Sequence, residues 1–339
     1  MICPKPLLSV IIPLYNTEEY IEQCIRSVVE NDVDPALYEV IVVNDGSTDA
    51  SAQVVERLCA GHENIHLFYQ QNQGVSVARK TGVHNSQGEF IWFVDSDDWL
   101  LEGALPSIIG ILERIPDELD GIHAPLQNYF GEQRNSLSTP LVFENGATIS
   151  GKDLLKSGHV SVCPPEFVFR KKLFDYPFVF FPENTRHEDE YFCRVLQYCC
   201  GKLLQINEPF YAYRQHGNSF MYSGGVRSAQ GLVNVYKHLS GFVEDHVEEK
   251  DKDWFRRENL ALLTATHFWF PDLIGTSDFR AFRKQNISFI FSEFKKNRYL
   301  LNRKDRLIGW MTLRVPILFK WRYKIQSEYN RRRSKALHS

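Results

Sequence analysis

Three aspartates fall within four residues at Asp95-Ser96-Asp97-Asp98, directly after the apolar run Phe90-Ile91-Trp92-Phe93-Val94. Carboxylates this close repel one another unless a cation or solvent compensates. A hard divalent ion with oxygen ligands would do so, and a nucleoside diphosphate would complete its coordination. An Asp-rich turn capping the next helix is the plainer alternative. A second run, Asp45-Gly46-Ser47-Thr48-Asp49, divides the same way, because Asp-Gly turns are common and Ser or Asp caps helices. Tyr15, two residues after Pro13, offers a ring on which a nucleobase can stack, or is ordinary packing. Arg79 offers a planar fork for phosphate, or faces solvent. No one of these residues decides the chemistry by itself.

The elements that must position them are legible in the hydrophobic pattern. Residues 9–13, 39–43, 65–69 and 90–94 are short, β-branched and almost continuously apolar, as parallel strands covered on both faces should be. Helical spacing occupies about 18–31, 50–60, 74–86 and 101–115. Strand and helix in alternation predict an α/β doubly wound sheet, whose ligands sit outside the carboxyl ends of its strands. Pro13 to Asn16, Asn44 to Asp49 and Asp95 to Asp98 all fall at such ends. From about 120 to 220 the regularity weakens, and the polar stretch Gly131 to Ser138 reads as a surface loop. After Gly224-Gly225 the pattern is helical, through about 227–248, 252–270, 278–296 and 303–333.

In order and spacing, SVIIPLYN (9–16), VIVVNDGSTD (40–49), QNQGVSVARKTG (71–82) and GEFIWFVDSDDWL (88–100) together resemble the nucleotide-sugar-binding half of glycosyltransferase family 2. The resemblance covers roughly residues 7–220 and is most specific over 7–101. It implies a GT-A fold: a Rossmann-like, mostly parallel central sheet flanked by helices, here with a helical C-terminal extension. It also implies metal-dependent, inverting transfer of a sugar from a nucleoside diphosphate, with UDP the expected nucleotide. By that resemblance Pro13, Tyr15 and Asp45 would hold the nucleoside and Arg79 the nucleotide. Asp95 would contact the sugar or ribose, and Asp97, with Asp95 beside it, would bind Mn²⁺ or Mg²⁺. Glu18 stands at a position often polar in the family. Lys80 departs from the family's usual Asn and receives no role.

Inversion at an anomeric carbon needs a base to take the proton of the attacking hydroxyl. His187-Glu188-Asp189-Glu190 looks like the family's acidic motif opening a helix, which would make Asp189 the base and Glu188 a ligand of the acceptor hydroxyl. Acids at a helix N-terminus are also favoured by its dipole with no catalytic duty. Arg214-Gln215-His216-Gly217-Asn218-Ser219 looks like the family's closing segment, with His216 reaching the metal and Arg214 the departing diphosphate. Neutral imidazole suits Mn²⁺ better than Mg²⁺, whereas a lone loop histidine is more often a surface residue.

The expected organisation is a catalytic domain over 1–222, made of a nucleotide-sugar half (1–118) and an acceptor half (119–222), followed by a helical region over 223–339. With 43% apolar and 24% charged residues, the chain can bury a full core. The N-terminus lacks the apolar h-region of an export signal, and the seven scattered cysteines read as reduced cytosolic thiols. Net charge is −3, yet residues 303–335 hold eleven Lys or Arg against Asp305 and Glu328. Leu307, Ile308, Trp310, Met311, Leu313, Ile317, Leu318, Phe319 and Trp321 are interleaved with them, and Pro316 breaks or kinks the helix. This describes an interfacial helix on an anionic membrane surface, unless its apolar face packs on the catalytic domain. The expected location is therefore cytoplasmic, peripheral on the inner face of the plasma membrane, with a lipid-linked acceptor glycan of a surface polysaccharide as substrate. No nucleic-acid recognition motif accompanies the charge. Two rivals stand beside this reading. A catalytically inactive sugar-nucleotide-binding scaffold would tolerate loss of Asp189, and a nucleotidyltransferase would need a Gly-rich basic loop after the first strand, which is missing.

Overall fold

The computed structural model describes residues 5–115, 117–131, 133–138, 142–157, 161–215, 225–268 and 274–314. These form two compact units, one of Met1–Asn184 with Glu188–Gly217 and one of Thr185–His187 with Asn218–Ser339.

In the first unit, β1 (Leu8–Leu14), α1 (Ile21–Val29), β2 (Tyr38–Asn44), α2 (Ser51–Cys59), β3 (Ile65–Tyr69), α3 (Val75–Asn85) and β4 (Phe90–Phe93) alternate. Every residue of β1, β2 and β4 is buried, the mark of strands covered on both faces. The helices bury one stripe each. Ile21, Cys24, Ile25, Val28 and Val29 of α1 recur at three- and four-residue intervals, as do Ser51, Val54, Val55 and Leu58 of α2. On α3, Gly82 permits the closest approach: a Cβ there would lie 2.3 Å from Ile11 Cγ2. Strands pair in parallel in the order β3-β2-β1-β4, so the chain order reverses between β1 and β4. A crevice at that reversal is where an open α/β sheet binds ligands.

Beyond β4 come β5 (Trp99–Leu100), α4 (Ala104–Leu112), β6 (Gly121–His123), β7 (Leu126–Phe130), β8 (Gln133–Leu137), β9 (Thr148–Ile149) and α5 (Gly151–Lys156). They are followed by β10 (Phe167–Arg170), α6 (Glu188–Cys199), β11 (Leu203–Gln205) and β12 (Tyr211–Gln215). The large sheet continues past β4 as β10-β6-β11-β9, with β10 antiparallel to both neighbours. A second sheet has the order β5-β12-β7-β8. Two expectations need correction. Residues 133–137, read as surface loop, form the exposed edge strand β8, antiparallel to β7 across a register shift. An edge strand with solvent on it needs no apolar alternation, so its polar side chains concealed it. Helix α4 starts at Ala104 and not near 101, because Trp99–Leu100 pairs with β12 and Gly103 adopts the left-handed φ of 73°.

The second unit contains α7 (Gly225–His246), α8 (Glu249–Phe268), α9 (Ser277–Asn297) and α10 (Arg303–Arg314). Its core gathers Val233, Tyr236, Leu263, Phe279, Phe282, Ile290, Phe294 and Leu313. Leu313, one of the apolar residues of the basic segment, is thus a core residue, whereas Leu307 and Trp310 are exposed. The segment beyond Arg314, including Pro316 and Trp321, lies outside the described residues. No helix among the described residues is long and apolar enough to cross a membrane. The six described cysteines are all free thiols.

Candidate active site

The loops after β1 and β2 are tied together by hydrogen bonds. Asn16, at a left-handed φ of 50°, accepts from the Thr48 N–H at 2.8 Å, and its own N–H donates to Ser47 Oγ at 3.1 Å. Glu18 accepts from the Ala50 N–H at 2.7 Å and donates its N–H to Asp49 at 3.1 Å. Glu18 is thereby a loop clasp. Between the loops Pro13 is buried at the end of β1 and the Tyr15 ring is 47% exposed, open to a ligand. Asp45 is buried: Oδ1 accepts from Gln70 Nε2 and the Gln73 N–H, and Oδ2 from the Gly74 N–H, each at 2.8 Å. Its carboxylate therefore fixes the 70–74 turn that starts α3.

The three clustered aspartates have separate environments. Asp98 is buried, with Oδ2 accepting from the Tyr211 hydroxyl at 2.6 Å and Oδ1 from the Arg214 N–H at 2.7 Å. Burial pushes its carboxyl well above the usual carboxylate range, and the charges of Asp97 and Asp95 push it further. Tyr211 Oη also accepts from the Asp95 N–H at 3.0 Å, so one hydroxyl holds both ends of the turn. Asp97 is half-buried, and its carbonyl accepts from Arg214 Nε at 2.8 Å. Asp95 pairs through Oδ1 with Arg79 at 2.9 Å.

Arg79 is the unforeseen centre of this arrangement. It is only 5% exposed, and its second arm reaches Glu188 Oε1 at 3.1 Å. Its Cζ lies 4.9 Å from the Phe181 ring centroid, and Phe181 stacks on Phe192 at 3.8 Å. An aromatic bed thus presents the guanidinium edge-on to both carboxylates. Arg79, expected to meet the nucleotide, joins the aspartate turn after β4 to the acidic head of α6. Burial raises the Glu188 carboxyl, while Arg79 draws it down. Asp189 is pushed well above the usual range by burial and by the charges of Glu188 and Glu190, again with Arg79 opposing. Glu190 is paired with Arg194 at 2.6 Å. Of the acids on α6, Asp189 is the one whose surroundings most favour holding a proton.

Arg214, expected at the diphosphate, donates through Nε to the Asp97 carbonyl and through Nη2 to Gln23 at 2.6 Å. His216 lies outside the described residues. Sequence reasoning missed Tyr211. Its signal was an aromatic hydroxyl in the otherwise apolar start of β12, where a buried Tyr needs a partner.

Among the described residues no three His, Cys, Asp or Glu side chains gather to hold an ion by themselves. The donor chemistry at Asp95 to Asp98, three carboxylates within four residues, is nonetheless that of a site for a hard cation. The residues fit an ion that takes one or two carboxylates from the protein and its other oxygens from a diphosphate and water. A groove of about 530 Å³ lined by Pro106, Ile111, Ile115, Leu119 and Leu204 shares no residue with this site and offers Arg114 as its one charged group.

Residues 9–176 match the model of the family described as Glycosyl transferase family 2. The chain is 28% identical over 261 residues to GalNAc(5)-diNAcBac-PP-undecaprenol beta-1,3-glucosyltransferase of Campylobacter jejuni, spanning 74% of this chain and 78% of that protein. The structure superposes on residues 1–349 of Staphylococcus aureus TarS in complex with UDP-GlcNAc with a TM-score of 0.71 at 19% identity, covering 96% of this chain and 92% of the other. A mannosyltransferase from Pyrobaculum calidifontis, in complex with GDP-Man and Mn²⁺, matches with a TM-score of 0.51 at 15% identity over 91% and 87% of the two chains.

Proposed function

The chain belongs to glycosyl transferase family 2 and has the GT-A fold, and on that premise we propose that it transfers a sugar, with inversion, from a UDP-sugar to a hydroxyl of a lipid-linked acceptor glycan in the assembly of a bacterial surface polysaccharide. The observation that carries this reading is the Asp95–Arg79–Glu188 bridge, which joins the strand-end aspartates to the acids of α6. The named activities of the relatives support the donor and acceptor classes: UDP-GlcNAc is bound by the TarS fragment, and an undecaprenol-linked glycan is the substrate named for the Campylobacter enzyme.

Asp97, with Asp95, is the place for Mn²⁺ or Mg²⁺, which when bound supplies neutralising charge for a departing diphosphate. Tyr15 stacks on the nucleobase beside the loop clasped by Asn16 and Glu18. Asp189 takes the proton of the acceptor hydroxyl as its oxygen bonds to the anomeric carbon and the bond to the diphosphate oxygen breaks, the electron pair leaving with the diphosphate. A carboxylate raised toward neutrality is a stronger base than an ordinary one, provided it remains ionised at the working pH. Glu188, on which Arg79 opposes the raising effect of burial, orients that hydroxyl. Exposed Arg303, Lys304, Arg306, Leu307, Trp310 and Arg314 on α10 support peripheral contact with an anionic membrane. The test is release of nucleoside diphosphate from a panel of nucleotide sugars with Mn²⁺ and a membrane-extracted acceptor pool. Turnover of none of them would remove the proposal.

A further inference from the structure

Beside Asp97 a row of planar groups lies along the second sheet. The Arg214 Cζ is 4.9 Å from the Tyr20 ring centroid and 4.5 Å from that of Trp99, and the Trp99 ring is 4.9 Å from Tyr129 at an interplanar angle of 53°. Strand register explains the row. Ala212 lies opposite Trp99 and Arg214 opposite Tyr129. Because Ala212 and Arg214 are two residues apart, Trp99, Arg214 and Tyr129 share one face.

Two facts distinguish this row from a packed core. Trp99 and Tyr129 are only half-buried, and neither the Trp99 indole N–H nor the Tyr129 hydroxyl has a hydrogen-bond partner among the described residues. Such polar tips normally find one when enclosed. The row starts at the aspartate turn, where Arg214 Nε donates to the Asp97 carbonyl, and runs outward to Tyr129. A pyranose ring matches it, because its axial C–H groups lie on aromatic faces while its equatorial hydroxyls accept from or donate to an indole N–H and a phenol.

We propose that the Trp99–Arg214–Tyr129 row is the seat of the acceptor saccharide, a reading that rests on the transfer reaction proposed above. The nucleobase is the competing occupant, and the experiment separates them. Saturation-transfer NMR is recorded with cellobiose, chitobiose, lactose and maltose in the presence of UDP and Mn²⁺, and UDP affinity is measured by calorimetry on the same samples. The expected result is saturation of the sugar ring protons in the wild type, weakened about threefold to tenfold in Tyr129→Ala, the scale of one ring contact. Tyr129→Phe should retain most of it, and UDP affinity should be unchanged in both. Ring stacking tolerates differences in sugar identity, so absence of saturation across all four disaccharides overturns the proposal, as does equal saturation in Tyr129→Ala. Loss of UDP affinity in Tyr129→Ala assigns the row to the nucleotide and likewise overturns it. Failure of the wild type to bind UDP at all strikes the transferase reading itself.

Discussion

Replacing Arg79 with Met keeps a long apolar stem against Phe181 and removes the charge shared by Asp95 and Glu188. The side chains of Arg79 and Glu188 are 6% and 11% exposed, so their pairing is screened little, whereas Asp95 at 31% keeps some solvent. Two unit charges about 4 Å apart attract by about 4 kcal/mol at an effective dielectric constant of 20. Removing one partner of a buried pair costs about 3–5 kcal/mol, chiefly through the charge left behind. The lower figure is appropriate here, because Asp95 can draw on water and Glu188 can take up a proton. A loss of about 3 kcal/mol lowers the melting temperature by roughly 6–12 °C in a domain of this size.

The sign of the pH dependence follows from the same charges. Burial already raises Glu188 and Asp189 in the folded protein, and Arg79 opposes both shifts, so its removal raises them further. The folded variant then binds more protons than the unfolded chain at pH values above the ordinary carboxylate range, and its stability falls as pH rises. The deficit against wild type should be small near pH 5 and full near pH 8. Scanning calorimetry at both pH values measures it, with UDP affinity measured in parallel. A positioning role leaves UDP affinity within about threefold, whereas loss of a charged phosphate contact, at about 1.5–3 kcal/mol, weakens it more than about tenfold. Equal deficits at pH 5 and pH 8, or a wild-type melting temperature at pH 8, would refute the bridge as described.

Asp97→Asn should lower Mn²⁺-dependent diphosphate release by about a hundredfold or more, and a retained rate would place the ion elsewhere. Asp189→Asn should cost about 10²–10⁴ in turnover while UDP still binds; it should also abolish the acidic limb of the wild-type profile, in which rate rises with pH as the raised Asp189 carboxyl ionises. A scaffold protein would keep its cellular role in that variant. Tyr211→Phe removes the hydroxyl shared by Asp98 and the Asp95 N–H, and denaturant unfolding should show a loss of about 1–3 kcal/mol. Leu307→Ser with Trp310→Ser should reduce cosedimentation with anionic vesicles without lowering the melting temperature, since both residues are exposed; unchanged sedimentation would remove α10 from any lipid contact.

What the sequence disclosed and what it concealed divide along a physical line. β1, β2 and β4 are buried on both faces, so their apolar runs could be read without partners, and the loops at their ends followed from the strand order. β8 was hidden because an edge strand is made by its backbone pairing and not by its side chains. The aspartate turn was visible as a cluster of residue types, but the division of labour within it was not. Asp98 is buried by Tyr211, 113 residues away, and Arg79 finds one partner 16 residues along and another 109 residues along. Spacing on a single helix could show that Arg79 offered a fork; only the approach of α6 shows that the fork is filled by carboxylates. A charged residue read from sequence is therefore a statement about supply, and its role is decided by which opposite charge the fold brings within about 4 Å. For Arg79 those partners are Asp95 after β4 and Glu188 on α6, so a single guanidinium ties the aspartate turn to the acidic head of α6.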